Sequence, residues 1–130
     1  MAPDESLDFD LAAAGLRAEG GDALRLVEVL AVKLEDALPG RAAVERRGVR
    51  LLSKQKRVER IDVELGDATY QLISDGRRVT GMRGQAVRGV TIKREELGLD
   101  VWVERLTREL DELAQSSTEA RAALDRLLGA

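Results

Sequence analysis

Between Leu24 and Leu38 the apolar residues Leu24, Val27, Leu30, Ala31, Leu34 and Leu38 recur at steps of three and four. That period places them on one stripe of a helix of about four turns. Asp22, just after Gly20-Gly21, is set to cap its first amides, and Pro39-Gly40 stops it. The period then changes. Ile61, Val63 and Leu65 alternate with Arg60, Asp62 and Glu64, which is the pattern of a half-buried strand. Gly66-Asp67 reads as a two-residue hairpin turn, and Tyr70 and Leu72 continue on the next strand. Asp75-Gly76 predicts a type I′ turn before a strand that holds Val79. A further strand is predicted to hold Val87, Val90 and Ile92, with Gly81, Gly84 and Gly89 as bulge or bend points, and an earlier one spans residues 43–47.

Helical spacing returns after Asp100, the predicted cap of a helix to about Ala114 with Val103, Leu106, Leu110 and Leu113 on one face. Ser116-Ser117-Thr118-Glu119 has capping-box spacing and opens a last helix that turns Ala120, Leu124, Leu127 and Leu128 inward. Helix, strands, helix, helix in segregated runs imply an α+β fold. The expected architecture is an antiparallel meander of four to five strands, with the N-terminal helix and the two C-terminal helices packed on one face. Residues 1–20, where Leu7, Phe9 and Leu11 alternate with Asp8 and Asp10, read as a weakly ordered arm, and residues 21–130 as one domain. The expected core joins Leu30, Leu34, Ile61, Val63, Leu72, Leu106 and Leu110.

Composition narrows the chemistry. The chain of 130 residues is 44 % hydrophobic but only 2 % aromatic, so aliphatic side chains must fill the core. It has no cysteine and no histidine, which removes disulfides, thiolate and imidazole zinc sites, and the common nucleophile–base pairs. Ser53 beside Lys54 or Lys56 falls in a polar turn-like stretch, poorly suited to a nucleophilic dyad. Asp62 and Glu64 share a strand face and could hold a divalent ion with Asp67 or Asp75, but balancing neighbouring arginines is the favoured role. The glycines lack the spacing of a phosphate cradle. No catalytic, cofactor or metal residue is assigned, and a non-enzymatic protein without cofactor is expected. The start of the chain is acidic and lacks a secretory pattern, and no apolar run approaches the roughly 20 residues of a membrane span. A cytoplasmic location is the expectation, and the Ala, Leu, Arg, Val and Gly bias resembles that of a high-GC bacterium.

The net charge of −3 hides a segregation. Residues 1–40 carry nine acids against three bases, net −6; residues 41–94 carry fourteen bases against six acids, net +8; residues 95–130 carry nine acids against four bases, net −5. Strands are therefore basic and helices acidic. Arg46, Arg47, Arg50, Lys54, Lys56 and Arg57 form the densest basic stretch and are the candidate residues for an anion or a partner. One reading pairs this basic sheet face with acidic helices of the same chain or of a second copy. A second makes it a landing site for an acidic protein. A third makes it a phosphate-binding surface for nucleic acid or an anionic membrane. Nucleic acid is not favoured, because Tyr70 is the sole aromatic in the basic region. Trp102, between Val101 and Val103, either closes a buried helix end or projects into a partner; with Leu127 and Leu128 it is the candidate interface. These C-terminal helices carry more apolar positions than one stripe needs, which predicts a two-fold homodimer through them. In size and element order the chain resembles secretion-chaperone-like proteins, dimers that hold a client segment; no motif carries that resemblance. The expected function is an adaptor or chaperone-like interaction module, with phosphate binding through residues 41–60 as the alternative.

Overall fold

The computed structural model describes residues 21–48 and 56–129. The expected residue 1–20 arm, Arg50 and Lys54 lie outside the described residues. The elements are α1 (Gly21–Ala37), β1 (Ala42–Gly48), β2 (Lys56–Leu65), β3 (Ala68–Ser74), β4 (Val79–Val87), β5 (Val90–Leu97), α2 (Leu99–Ala114) and α3 (Thr118–Leu127). The five strands form one antiparallel sheet in the order β1-β2-β3-β4-β5. This is the α+β meander expected, with five strands, an N-terminal helix and two C-terminal helices.

Local chemistry sets the joints, and several differ from expectation. The segment holding Val87, Val90 and Ile92 is two strands, not one. Arg88 (φ 53°) and Gly89 (φ 81°) make a two-residue turn, and Val87 pairs with Val90 across it. Two successive positive φ values are what the right-handed twist of a tight hairpin requires. The Asp75-Gly76 turn is longer than a type I′ turn, because Ser74 pairs with Val79 and leaves residues 75–78 in the loop. Asp75 Oδ1 accepts from the amides of Arg77 and Arg78 at 2.8 and 2.7 Å, a side-chain turn that does not need a second positive φ. Gly98, not Asp100, precedes α2, with its carbonyl accepting from the Trp102 amide at 2.8 Å. Ser117 caps α3 by accepting from the Ala120 amide at 3.2 Å. Glu119 takes no part in a capping box; it pairs with Arg41.

The helices lie on one face of the sheet. α1 packs on β1 and β2, α2 on β4 and β5, and α3 contacts both other helices. The seven expected core residues are all buried in one cluster, with Leu34 and Ile61 at 0 % exposure. Gly81 and Gly84 are not bulges, since both sit in register within β4. A Cβ on Gly81 would meet the Leu97 carbonyl oxygen at 2.7 Å and Trp102 Cδ1 at 2.9 Å. Gly81 is therefore the floor on which the indole rests. Trp102 meets Tyr70 edge-on, with ring centroids 5.7 Å apart, and its Nε1 donates to the Met82 carbonyl at 3.3 Å.

The up-and-down course of the meander also separates two ends. The α1 start, the end of β1, the start of β2, the β3–β4 turn and the β5–α2 joint lie at one end. The β2–β3 and β4–β5 turns and the α2–α3 joint lie at the other.

Candidate functional site

Much of the basic charge in the strands meets acids of the same chain's helices. Arg46 points to the helix side of β1, opposite buried Val58, and grips both carboxylate oxygens of Glu35 in α1 at 3.1 and 2.5 Å. That hydrogen-bonded pairing lowers the Glu35 pKa from its ordinary value and raises that of Arg46. Glu28 of α1 accepts from the Val58 amide at 2.7 Å, next to the β1–β2 register shift. Arg41 reaches Glu119 of α3 at 3.2 Å.

Under α2 the pairing becomes a network. Arg83 Nε donates to Glu109 Oε1 at 2.6 Å and to the Tyr70 hydroxyl at 3.2 Å, while the hydroxyl itself donates to Glu109. Arg83 also donates to Gln85 at 3.2 Å, and Glu95 lies 3.0 Å from Arg105. Burial, followed by the hydrogen bond to Glu109, pushes the Tyr70 pKa well up. The hydrogen bond to Glu109 also raises that of Arg83. Every polar group in this set has a partner, so it holds α2 to β3 and β4 and presents no unpartnered base or nucleophile.

The outward sheet face is not the basic surface expected. Glu45, Asp62, Glu64 and Glu96 share it with Arg60 and Arg94, and its middle holds Thr69, Gln71, Ile73, Thr80 and Met82. Asp62 is bound by Arg60 at 2.7 Å and by Gln71 at 2.8 Å, the balancing role anticipated for it. Alternation is the reason for the difference: successive residues of a basic strand point to opposite faces, so β1 sends Arg46 inward and Arg47 outward.

Basic charge instead collects at the end of the sheet where α1 begins. Arg47 lies directly opposite Arg57, and Gly48 opposite Lys56. The Arg57 guanidinium rests on the β3–β4 turn: a Cβ on Gly76 would fall 1.8 Å from Arg57 Nη1, and Nη2 donates to the Asp75 carbonyl at 3.4 Å. Arg77 and Arg78 project from that same turn and are exposed, as is Lys56. None of these three side chains makes an ion pair among the described residues; Arg47 lies 3.7 Å from Glu59. The one acid in the turn, Asp75, is held by backbone amides, which lowers its pKa. Five cations thus border one end: Arg47, Lys56, Arg57, Arg77 and Arg78. Of the sequence-predicted set, the structure brings Arg47, Lys56 and Arg57 together and sends Arg46 to Glu35. Arg77 and Arg78 were missed. Their signal was the Arg-Arg pair after Asp-Gly, visible in the sequence but read only as a turn.

The candidate interface falls inside the fold. Trp102 is 0 % exposed and Leu127 1 % exposed, and Leu128 is half-buried against the core. Leu99 and Val103 are also buried, so of the surplus apolar positions only Val101, at 39 %, is open. One sheet covered by three helices has more interior than a single stripe per helix suggests. A surface cleft of about 160 Å³ is lined by Leu38, Leu65, Leu110 and Leu113 with the Arg41–Glu119 pair at its rim. That is below the roughly 300 Å³ at which small-molecule sites begin. No helix among the described residues is long and apolar enough to cross a membrane. No family model, no curated relative and no solved structure matches the chain.

Proposed function

We propose that this protein is a non-enzymatic interaction module, an adaptor or chaperone-like protein, that docks an acidic segment of another protein on the cationic end of its sheet. The observation that carries this reading is the cluster of Arg77, Arg78 and Lys56, exposed and without ion pairs among the described residues, beside Arg57 and Arg47. Guanidinium groups on the β3–β4 turn and on the adjoining ends of β1 and β2 suit the binding of carboxylates. The lack of histidine and cysteine and the mutual satisfaction of Arg83, Glu109 and Tyr70 support a role without catalysis.

Protein is favoured over nucleic acid by what surrounds the cations. Tyr70 and Trp102 are buried, so no aromatic face among the described residues is open for base stacking. The net charge of −3 also opposes a long polyanion away from this end. Fluorescence anisotropy with a labelled glutamate-rich peptide and, separately, a random-sequence duplex tests the choice. The peptide should bind, and the double variant Arg77→Ala/Arg78→Ala should weaken it at least about tenfold. Duplex binding with a steep salt slope and no peptide binding would favour the phosphate reading instead. Binding of neither would remove the docking role.

A further inference from the structure

β5 is one of the two edges of the sheet, so among the described residues one side of its backbone has no neighbouring strand. Residues 90–94 are all exposed, with Val90 at 63 % and Ile92 at 64 %. Of the strand's four charges, Lys93 is exposed opposite Gln85, and the other three divide by face. Glu95 faces the helices, where it pairs with Arg105 at 3.0 Å and lies 4.0 Å from Arg83. Arg94 and Glu96 face outward, opposite Gly84 and Met82, and form no ion pair among the described residues. They flank Glu95 one residue to either side, with opposite signs.

We infer that β5 pairs with β5 of a second copy, antiparallel about a two-fold axis through Glu95. In an antiparallel pair, directly opposed residues share a face, so a two-fold must pass through a residue position to keep both helical layers on one side. Centred on Glu95, the pairing sets Arg94 against Glu96 of the second copy, and Glu96 against its Arg94. Two outward ion pairs form from groups that have no ion pair among the described residues. The two Glu95 carboxylates that approach at the axis each keep their Arg105. Centred on Arg94 instead, the pairing would oppose two unpaired arginines, which destabilises a ladder. The interface uses none of the residues of the cationic end, which stand at the end of β1, the start of β2 and the turn between β3 and β4.

The charges make the test self-controlled. Sedimentation equilibrium of the full chain at tens of micromolar should return twice the chain mass. Arg94→Glu and Glu96→Arg should each lose the dimer, with at least a tenfold rise in its dissociation constant, because each opposes like charges twice. Mixed in equal amounts, the two variants should form a heterodimer. The first then carries acids at both positions and the second bases at both, so opposite charges meet at the two sites. Recovery on mixing also shows that neither variant lost association by misfolding. A monomeric parent chain, single variants that remain dimeric, or a mixture that stays monomeric would each overturn the inference.

Discussion

Arg78 and Arg83 stand five residues apart in one turn and strand, yet they occupy opposite situations. The Arg83 side chain is 16 % exposed, holds Glu109 and the Tyr70 hydroxyl, and lies with Cζ 5.7 Å from the Tyr70 ring centroid. Arg78 is exposed and meets Asp75 through its backbone alone, its amide donating to the carboxylate and its carbonyl accepting from the Asp75 amide. The difference is the helix above. Where α1 and α2 cover the sheet, acids on the helices neutralise bases on the strands. Beyond the helical layer the same basic composition stays open. The charge segregation along the chain is therefore two things at once: an internal pairing that positions helices, and a surplus at one end.

The covered half should hold the fold, and its core provides the largest effects. Trp102→Ala should cost about 3–5 kcal/mol in chemical denaturation, and Leu34→Ala and Leu106→Ala about 2–5 kcal/mol each. Losses near zero at both leucines would mean that the helices do not rest on the sheet as described. Gly81→Ala should cost about 1–3 kcal/mol by pushing a methyl group into Trp102 and the Leu97 carbonyl. Unchanged stability there would place the indole elsewhere.

The two arginine classes can be separated directly. Glu109→Ala leaves Arg83 partly buried without its acceptor and should cost about 1–3 kcal/mol. Arg78→Ala should stay within about 0.5 kcal/mol of the parent chain. Equal losses in urea titrations would erase the distinction.

Tyr70 sharpens it through pH. A phenol whose folded pKa is raised contributes stability that is complete below its ordinary value of 10.0 and is lost as pH rises through and beyond that value. Because the chain has one tyrosine, its ultraviolet tyrosinate band should be absent near pH 10 and should appear together with unfolding. A simple titration near the ordinary phenol value in the folded protein would contradict the buried network.

A small effect is also expected at the exposed Arg46–Glu35 pair. Glu35 has a lowered pKa, so its contribution is present above its ordinary 4.5 and disappears as pH falls through the lower folded value. With the side chain 41 % exposed, solvent screening limits Glu35→Gln to about 1 kcal/mol or less at neutral pH. The thermal midpoint of this variant should differ little from the parent and should converge with it in acid.

The element order, all seven core positions and the helical stripe of α1 apart from Leu24, in whose place Ala23 and Leu26 pack on the core, were legible in the sequence, because periods of 3.6 and 2 survive wherever one face is buried. The charge segregation was legible too, and so was the exclusion of histidine and cysteine chemistry. The division of Val87 and Val90 between two strands was not, since Arg88 at positive φ is a rare choice that only the closed hairpin makes evident. Nor could the burial of Trp102 and Leu127 be decided from helical spacing, which counts stripes and not the neighbours that cover them. The tertiary structure alone assigned each base its fate. Arg46 and Arg47 are adjacent in the chain but leave β1 on opposite faces, one to Glu35 beneath α1 and the other to the open side. Arg57 meets the Gly76 turn only because β2 and β3 pair in one register. A sequence sets the sign and density of charge, whereas which charges are neutralised depends on what the fold lays across them.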